Sequence, residues 1–230
     1  LTELDADKAR FLRHISHELK TPLASMHEGV AVLGDGVAGP LSDSQSEVVT
    51  ILRHNTQQLQ QQIEALLRFN AAAFEARQLQ RQPTELRALA QAQVDEQRLR
   101  WQARQLRVTV HGPEMSLPLD GPKIESALGN LLSNAIRFSP IGGHIAIQLS
   151  RLPGIARLDI TDEGPGVAQE DGSRVFEPFF RGMRQPEDAA KGTGIGLSIV
   201  QEYIQAHGGR IALLPSPRGA HFRIELPHAD

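Results

Sequence analysis

The sequence predicts two folding units of different class, a helical hairpin followed by an α/β sandwich, and three observations carry that expectation. From Thr2 to Phe74 apolar residues recur at steps of three and four, the stripe of amphipathic helices. Beyond Pro83 the spacing changes repeatedly between that helical period and the alternation of half-buried strands. Between them, around Arg77 to Pro83, the apolar rhythm stops, which marks a linker. The expected units are residues 1–78 and 84–230, joined by 79–83.

Phe11, Ile15, Leu19, Leu23, Met26, Val30 and Leu33 form the first stripe, and the glycine-rich run from Gly34 to Pro40 ends it in a turn. The second helix is expected to be capped at Ser42, Asp43 or Ser44, with Val48, Ile51, Leu52, Leu59, Ile63, Leu66 and Leu67 on its apolar face. A two-helix hairpin leaves half of such a stripe exposed, and a second copy would cover it as a four-helix bundle. Then come a helix over Leu86 to Leu106, short strands at Val108–Val110 and Leu117, and an apolar helix from Ile124 to Phe138. Strands are expected at His144–Leu149 and Ala156–Thr161, a helix at Ile195–Ala206, and strands at Arg210–Leu214 and His221–Leu226. This order predicts helices on one face of a mixed sheet.

The 230 residues are 40% hydrophobic and 22% charged, an ordinary globular composition that excludes global disorder. The formal charge of −3 provides no basic excess for neutralising phosphates, so no direct nucleic-acid partner is expected. With no cysteine there are no disulfides, thiolate metal sites or cysteine nucleophiles.

Three polar constellations stand out. Asn130 and Asn134, one turn apart, put two amide oxygens on one helix face, suited to a hard cation or simply to solvent. Asp162-Glu163-Gly164-Pro165-Gly166 ends a strand with a carboxylate beside two glycines, either a plain turn or an acceptor for an exocyclic amine. Gly192-Thr193-Gly194-Ile195-Gly196-Leu197 opens a helix with amides that suit an anion, or forms a turn capped by Thr193. It lacks the Lys-Ser/Thr of a Walker A loop.

Taken in order with Phe176-Glu-Pro-Phe-Phe180, these segments resemble the N, G1, F and G2 boxes of sensor histidine kinases. The resemblance implies a Bergerat-type ATP-binding fold, with ATP and Mg²⁺ as ligands. Asn134, helped by Asn130, would hold magnesium; Arg137 would face phosphate, Phe138 would flank the base and Asp162 would read adenine. Gly164, Gly166, Thr193, Ile195, Leu197 and the glycines 192, 194 and 196 would line the nucleotide. Phe180 to Lys191 would form a mobile lid, with Arg181 and Lys191 on phosphate. Arg137 stands where many relatives carry Lys, and the two differ in geometry.

Phe11 to Leu23, with His17-Glu18-Leu19-Lys20-Thr21-Pro22 at its heart, resembles the H box of the same family. His17 is thereby the phospho-acceptor, a role that suits a neutral imidazole near pH 7. Glu18 would act as general base and Thr21, four residues from His17, would position a water for dephosphorylation. Pro22 removes the hydrogen bond to the Glu18 carbonyl, so a kink is expected there. His14 is the competing nucleophile without a matching motif. The resemblance implies an autokinase that passes its phosphoryl group to a response-regulator receiver domain. It also implies a cytoplasmic fragment of a bacterial inner-membrane protein, reaching the membrane only through a sensor region ahead of Leu1. Two other readings share the ATP fold: a gyrase- or chaperone-type ATPase, which generally carries Glu where this chain has Asn130, and a dimeric signalling scaffold that binds ATP but transfers little.

Overall fold

The computed structural model describes residues 3–184 and 192–228, with side chains from Glu18 onward except Lys20. The chain divides into two compact units, Leu1–Phe74 and Glu75–Asp230.

The first unit is a pair of helices, α1 (Glu3–Gly34) and α2 (Asp43–Glu75), of which α2 runs on to the first residue of the second unit. α1 continues past Pro22 to Gly34. The turn after it uses left-handed backbone at Gly36 and Gly39. α2 opens with a reciprocal cap, in which the Gln45 amide N–H donates to Ser42 Oγ at 3.3 Å and the Ser42 N–H donates to Gln45 Oε1 at 2.9 Å. Leu23, Val49, Ala65 and Ala72 are buried in these helices, but Met26 and Ile51 stay 57% and 54% exposed, and Leu33, Val48, Leu52, Leu59 and Leu66 are exposed as well.

The second unit is an α/β sandwich. A five-stranded mixed sheet runs in the order β2 (Arg107–His111), β4 (His144–Leu152), β5 (Ile155–Thr161), β7 (His221–Pro227), β6 (Arg210–Leu214). Only the β2–β4 pair is parallel. Ile145, Ile147 and Leu149 of β4, Ala156, Leu158 and Ile160 of β5, and Phe222, Ile224 and Leu226 of β7 alternate onto one face. There they join one core with α3 (Leu86–Glu96), α5 (Gly121–Phe138) and α6 (Gly196–Ala206). α5 supplies Ile124, Ala127, Leu128, Leu131, Leu132, Ala135 and Ile136, a stripe at steps of three, one, three, one, three and one. The opposite face of the sheet carries ion pairs, Arg157 and Arg210 on Glu225 and Arg223 on Asp159 at 2.8 Å, and a 2.6 Å hydrogen bond between His221 and Asp159. The expected helices on one face of a mixed sheet are therefore present.

Three expectations need correction. The helix expected over Leu86 to Leu106 is two, α3 and α4 (Arg98–Ala103), because Gln97 leaves helical geometry and donates its side-chain amide to the Gly129 carbonyl at 3.0 Å. The Val94 carbonyl at this break accepts the Trp101 indole N–H at 2.9 Å. Gln82 and Pro83 are not linker but belong to β1 (Gln82–Glu85), antiparallel to β3 (Ser116–Leu119). The unit boundary falls after Phe74 rather than at 78, because the polar segment is hydrogen-bonded into the second unit. Tyr203 Oη donates to Glu75 at 3.1 Å, the Gln80 N–H to Asp120 at 2.8 Å, Lys123 Nζ to the Gln78 carbonyl at 3.2 Å, and Arg81 to the Ala206 carbonyl at 3.3 Å. Asp120, which takes the Gln80 N–H, is the N-cap of α5, and its own backbone N–H donates to buried His207 at 2.9 Å.

Candidate functional site

The core stripe of α5 turns its polar residues to the opposite side, and the helix ends at Phe138 against the turn that follows β5. A Cβ on Gly164 would lie 2.7 Å from the Phe138 carbonyl oxygen, so only glycine lets these two segments meet. Asp162 begins that turn and is 8% exposed. Its Oδ1 accepts the N–H groups of Gly164 at 2.8 Å and of Ala220 at 3.0 Å, and no described residue donates to Oδ2. Burial pushes the carboxyl above its ordinary range, against the two backbone donors, which stabilise the charge. Behind it, a Cβ on Gly219 would overlap the Asp162 carbonyl, and left-handed Gly166 packs against the Gly219 carbonyl. The carboxylate therefore sits on a rigid, glycine-bounded platform with one oxygen to offer.

The start of α6 meets the side of α5. A Cβ on Gly196 would stand 3.1 Å from Asn130 Oδ1, while Asn130 Nδ2 is fixed by donating to the Ser126 carbonyl at 2.9 Å. Asn134 lies one turn further along α5 on the same face as Asn130. A Cβ on Gly192 would overlap the Arg137 guanidinium, and Arg137 lies over the Phe138 ring at 5.0 Å. Burial lowers the Arg137 pKa, and the charge of Arg181 lowers it further. The N-cap of α6 is Ile195, with no side-chain hydrogen bond to its amides, so Thr193 does not cap this helix. Phe179, at a left-handed φ of 66°, donates its N–H to the Gly194 carbonyl at 2.9 Å. Only glycine fits at 194, where a Cβ would stand 2.7 Å from the Phe180 carbonyl oxygen.

The structure thus brings together Asn130, Arg137, Phe138, Gly164 and Asp162 on one side and Phe180, Gly192, Gly194 and Gly196 on the other, with Leu197 packed against the core. Lys191 and the side chain of His17 lie outside the described residues. Glu18 and Thr21 are exposed on α1.

Residues 119–230 match the family model of histidine kinase-, DNA gyrase B- and HSP90-like ATPases, and residues 7–75 match that of the His kinase A phospho-acceptor domain. A mycobacterial sensor histidine kinase structure, MprB, is 30% identical with a TM-score of 0.59, over 64% of this chain and 97% of that one. The chain belongs to the sensor histidine kinases. The histidine kinase GlrK of Escherichia coli K12 is 37% identical over 99% of this chain and 48% of its own length. The chain therefore spans about half of that curated relative. The structure of full-length ShkA in complex with AMPPNP is 26% identical with a TM-score of 0.70, over 96% of this chain and 46% of that one.

As a sensor histidine kinase the chain has site features that spacing alone does not reveal. Gly219 and Ala220 back Asp162 from the far end of the sequence; the signal was a glycine placed just before the last strand, in Ser216-Pro217-Arg218-Gly219. No helix among the described residues of this sensor histidine kinase is long and apolar enough to cross a membrane.

Proposed function

We propose that this chain binds Mg·ATP between α5, the Asp162–Gly166 turn and the start of α6, and transfers the γ-phosphoryl group to His17. The observation that carries the reading is the gathering around the C-terminal half of α5 of a carboxylate-bearing turn with a spare oxygen, the Asn130 amide against Gly196 and the Arg137 guanidinium against Gly192. Asp162 Oδ2 accepts from the adenine amine, and Phe138 flanks the base. The amide oxygens of Asn134 and Asn130 suit magnesium, which takes one or two protein ligands beside substrate phosphates. When bound, the ion supplies charge neutralisation between the phosphates. Arg137 and Arg181 offset phosphate charge, and Gly192, Gly194 and Gly196 let the backbone amides of the α6 start approach it. Thr193, Ile195 and Leu197 hold that loop, and Lys191 would add a further cation.

The His17 imidazole nitrogen forms the new bond to the γ-phosphorus as the bond to the β-bridging oxygen breaks, and ADP leaves. Glu18 takes the imidazole proton. The phosphoryl group then passes to an aspartate of a response-regulator receiver domain, and Thr21 positions the water that hydrolyses the resulting aspartyl phosphate to inorganic phosphate. The exposed apolar residues of the hairpin are the face on which a second copy completes a four-helix bundle. The parent protein is read as a bacterial inner-membrane sensor with this region in the cytoplasm.

Incubation with γ-³²P-ATP and magnesium tests the reading. An acid-labile, alkali-stable label is expected in the wild type and in His14→Gln, and its absence in His17→Gln. ATP hydrolysis without label would favour a gyrase-type ATPase instead, and ATP binding with neither label nor hydrolysis a scaffold.

A further inference from the structure

Asp171 is a buried carboxylate with no part in the chemistry above. It closes the 3-10 turn Gln169–Asp171 and is 8% exposed. Its Oδ2 accepts the Met183 N–H at 2.9 Å. A Cβ on Gly182 would stand 2.9 Å from the same oxygen, so a side chain there would displace either the chain or the carboxylate. One residue further on, the Arg184 guanidinium donates to the Pro165 carbonyl at 2.6 Å, within the turn that carries Asp162. On the other side, Phe179 is tied to Gly194. Residues 179–184 are therefore pinned at three points, and Arg181 lies between the first and second. Arg181 directly follows Phe180, whose carbonyl oxygen would stand 2.7 Å from a Cβ on Gly194, in the glycine loop where Gly192 abuts the Arg137 guanidinium.

We infer that Asp171 is a positioning residue for phosphate recognition: through Met183 and Gly182 it fixes the backbone that aims Arg181 at the Arg137 neighbourhood. This rests on the ATP reading above. Arg181 is a long, exposed cation whose ordering costs side-chain entropy, and a fastened backbone behind it lowers that cost. A carboxylate suits the task because a charged acceptor holds a backbone N–H more strongly than a neutral one.

The test is calorimetric titration of the full chain with Mg·ATP and with AMP, in Asp171→Ala, Asp171→Asn, Gly182→Ala, Arg181→Ala and Asp171→Ala/Arg181→Ala. Asp171→Ala is expected to weaken ATP about tenfold, the size of one lost charge-assisted hydrogen bond, and to leave AMP almost unchanged. Asp171→Asn, which keeps an acceptor, should recover most of the loss. Gly182→Ala, which pushes the chain off an intact Asp171, should reproduce it. The double variant should be no weaker than Arg181→Ala alone. Equal losses for ATP and AMP, or losses that add to Arg181→Ala, would overturn the inference. If the wild type binds no ATP, the nucleotide reading falls and this inference with it; if Arg181→Ala weakens ATP and Asp171→Ala does not, only the inference falls.

Discussion

Asp162 combines two demands that oppose each other. As a carboxylate it is buried, and burial raises its pKa, so the folded state holds the proton more tightly than the unfolded chain. Such a group favours folding at low pH, and that advantage is lost as pH rises from its ordinary 3.8 through the raised folded value. At neutral pH its ionisation therefore costs stability. Asp162→Asn keeps an oxygen for the Gly164 and Ala220 donors but turns the spare oxygen into an amide donor. The nucleotide-free variant is expected to melt higher than the wild type at pH 7 by scanning fluorimetry. It is also expected to lose about 10- to 100-fold in ATP affinity, the worth of a charged hydrogen bond. A variant that melts lower would show that the carboxylate is part of the fold's support rather than a burden on it. At this scale the sequence was most readable where a residue type has one physical use. The glycines at 164, 166, 194 and 196 stood out because their spacing is rare, and each meets a neighbour that leaves little or no room for a side chain. Asp171 was not readable, because an aspartate in a polar run looks like any surface acid until its partner twelve residues away is known.

Elements were legible in proportion to their apolar periodicity. α5 and the alternating strands β4, β5 and β7 were expected close to where they lie. β1 was missed because Gln82-Pro83-Thr84-Glu85 has no apolar alternation, its order coming from pairing with β3. The break between α3 and α4 was missed because neither Gly nor Pro marks it; Gln97 breaks the helix for a tertiary hydrogen bond to Gly129. The same cause hid the fastening of residues 75–81, where polar side chains and backbone groups find partners on the N-terminus of α5 and the C-terminus of α6. Burial and the neighbouring Glu75 raise the pKa of Tyr203, which keeps its hydroxyl a donor at all ordinary pH. Tyr203→Phe is expected to destabilise the second unit by about 0.5–1.5 kcal/mol in urea denaturation, and Glu75→Gln added to it should change little. Fully additive effects would show that the two side chains act separately.

At the scale of the molecule, the two units differ in self-sufficiency. The second has a continuous core from helices to sheet, whereas the hairpin leaves Met26, Val48, Ile51, Leu52, Leu59 and Leu66 in water. An apolar stripe of that length marks an interaction face. Ile51→Glu combined with Leu59→Glu is expected to halve the mass seen by light scattering from dimer to monomer while leaving the ATP affinity within about twofold, since the proposed nucleotide residues belong to the other unit, which has its own core. A dimer that survives both changes would place the interface elsewhere.

The fastening of Glu75 to Arg81 also bears on how such proteins are recombined. The polar composition suggests that an exchangeable catalytic cassette could begin near Thr84. A cassette cut there would lose half of β1, the Gln80 N–H that Asp120 accepts and the carboxylate that Tyr203 meets. The folding unit is longer than its apolar pattern. A splice that joins this unit to a foreign helical hairpin preserves it only if the junction falls inside the last turn of α2, ahead of Glu75.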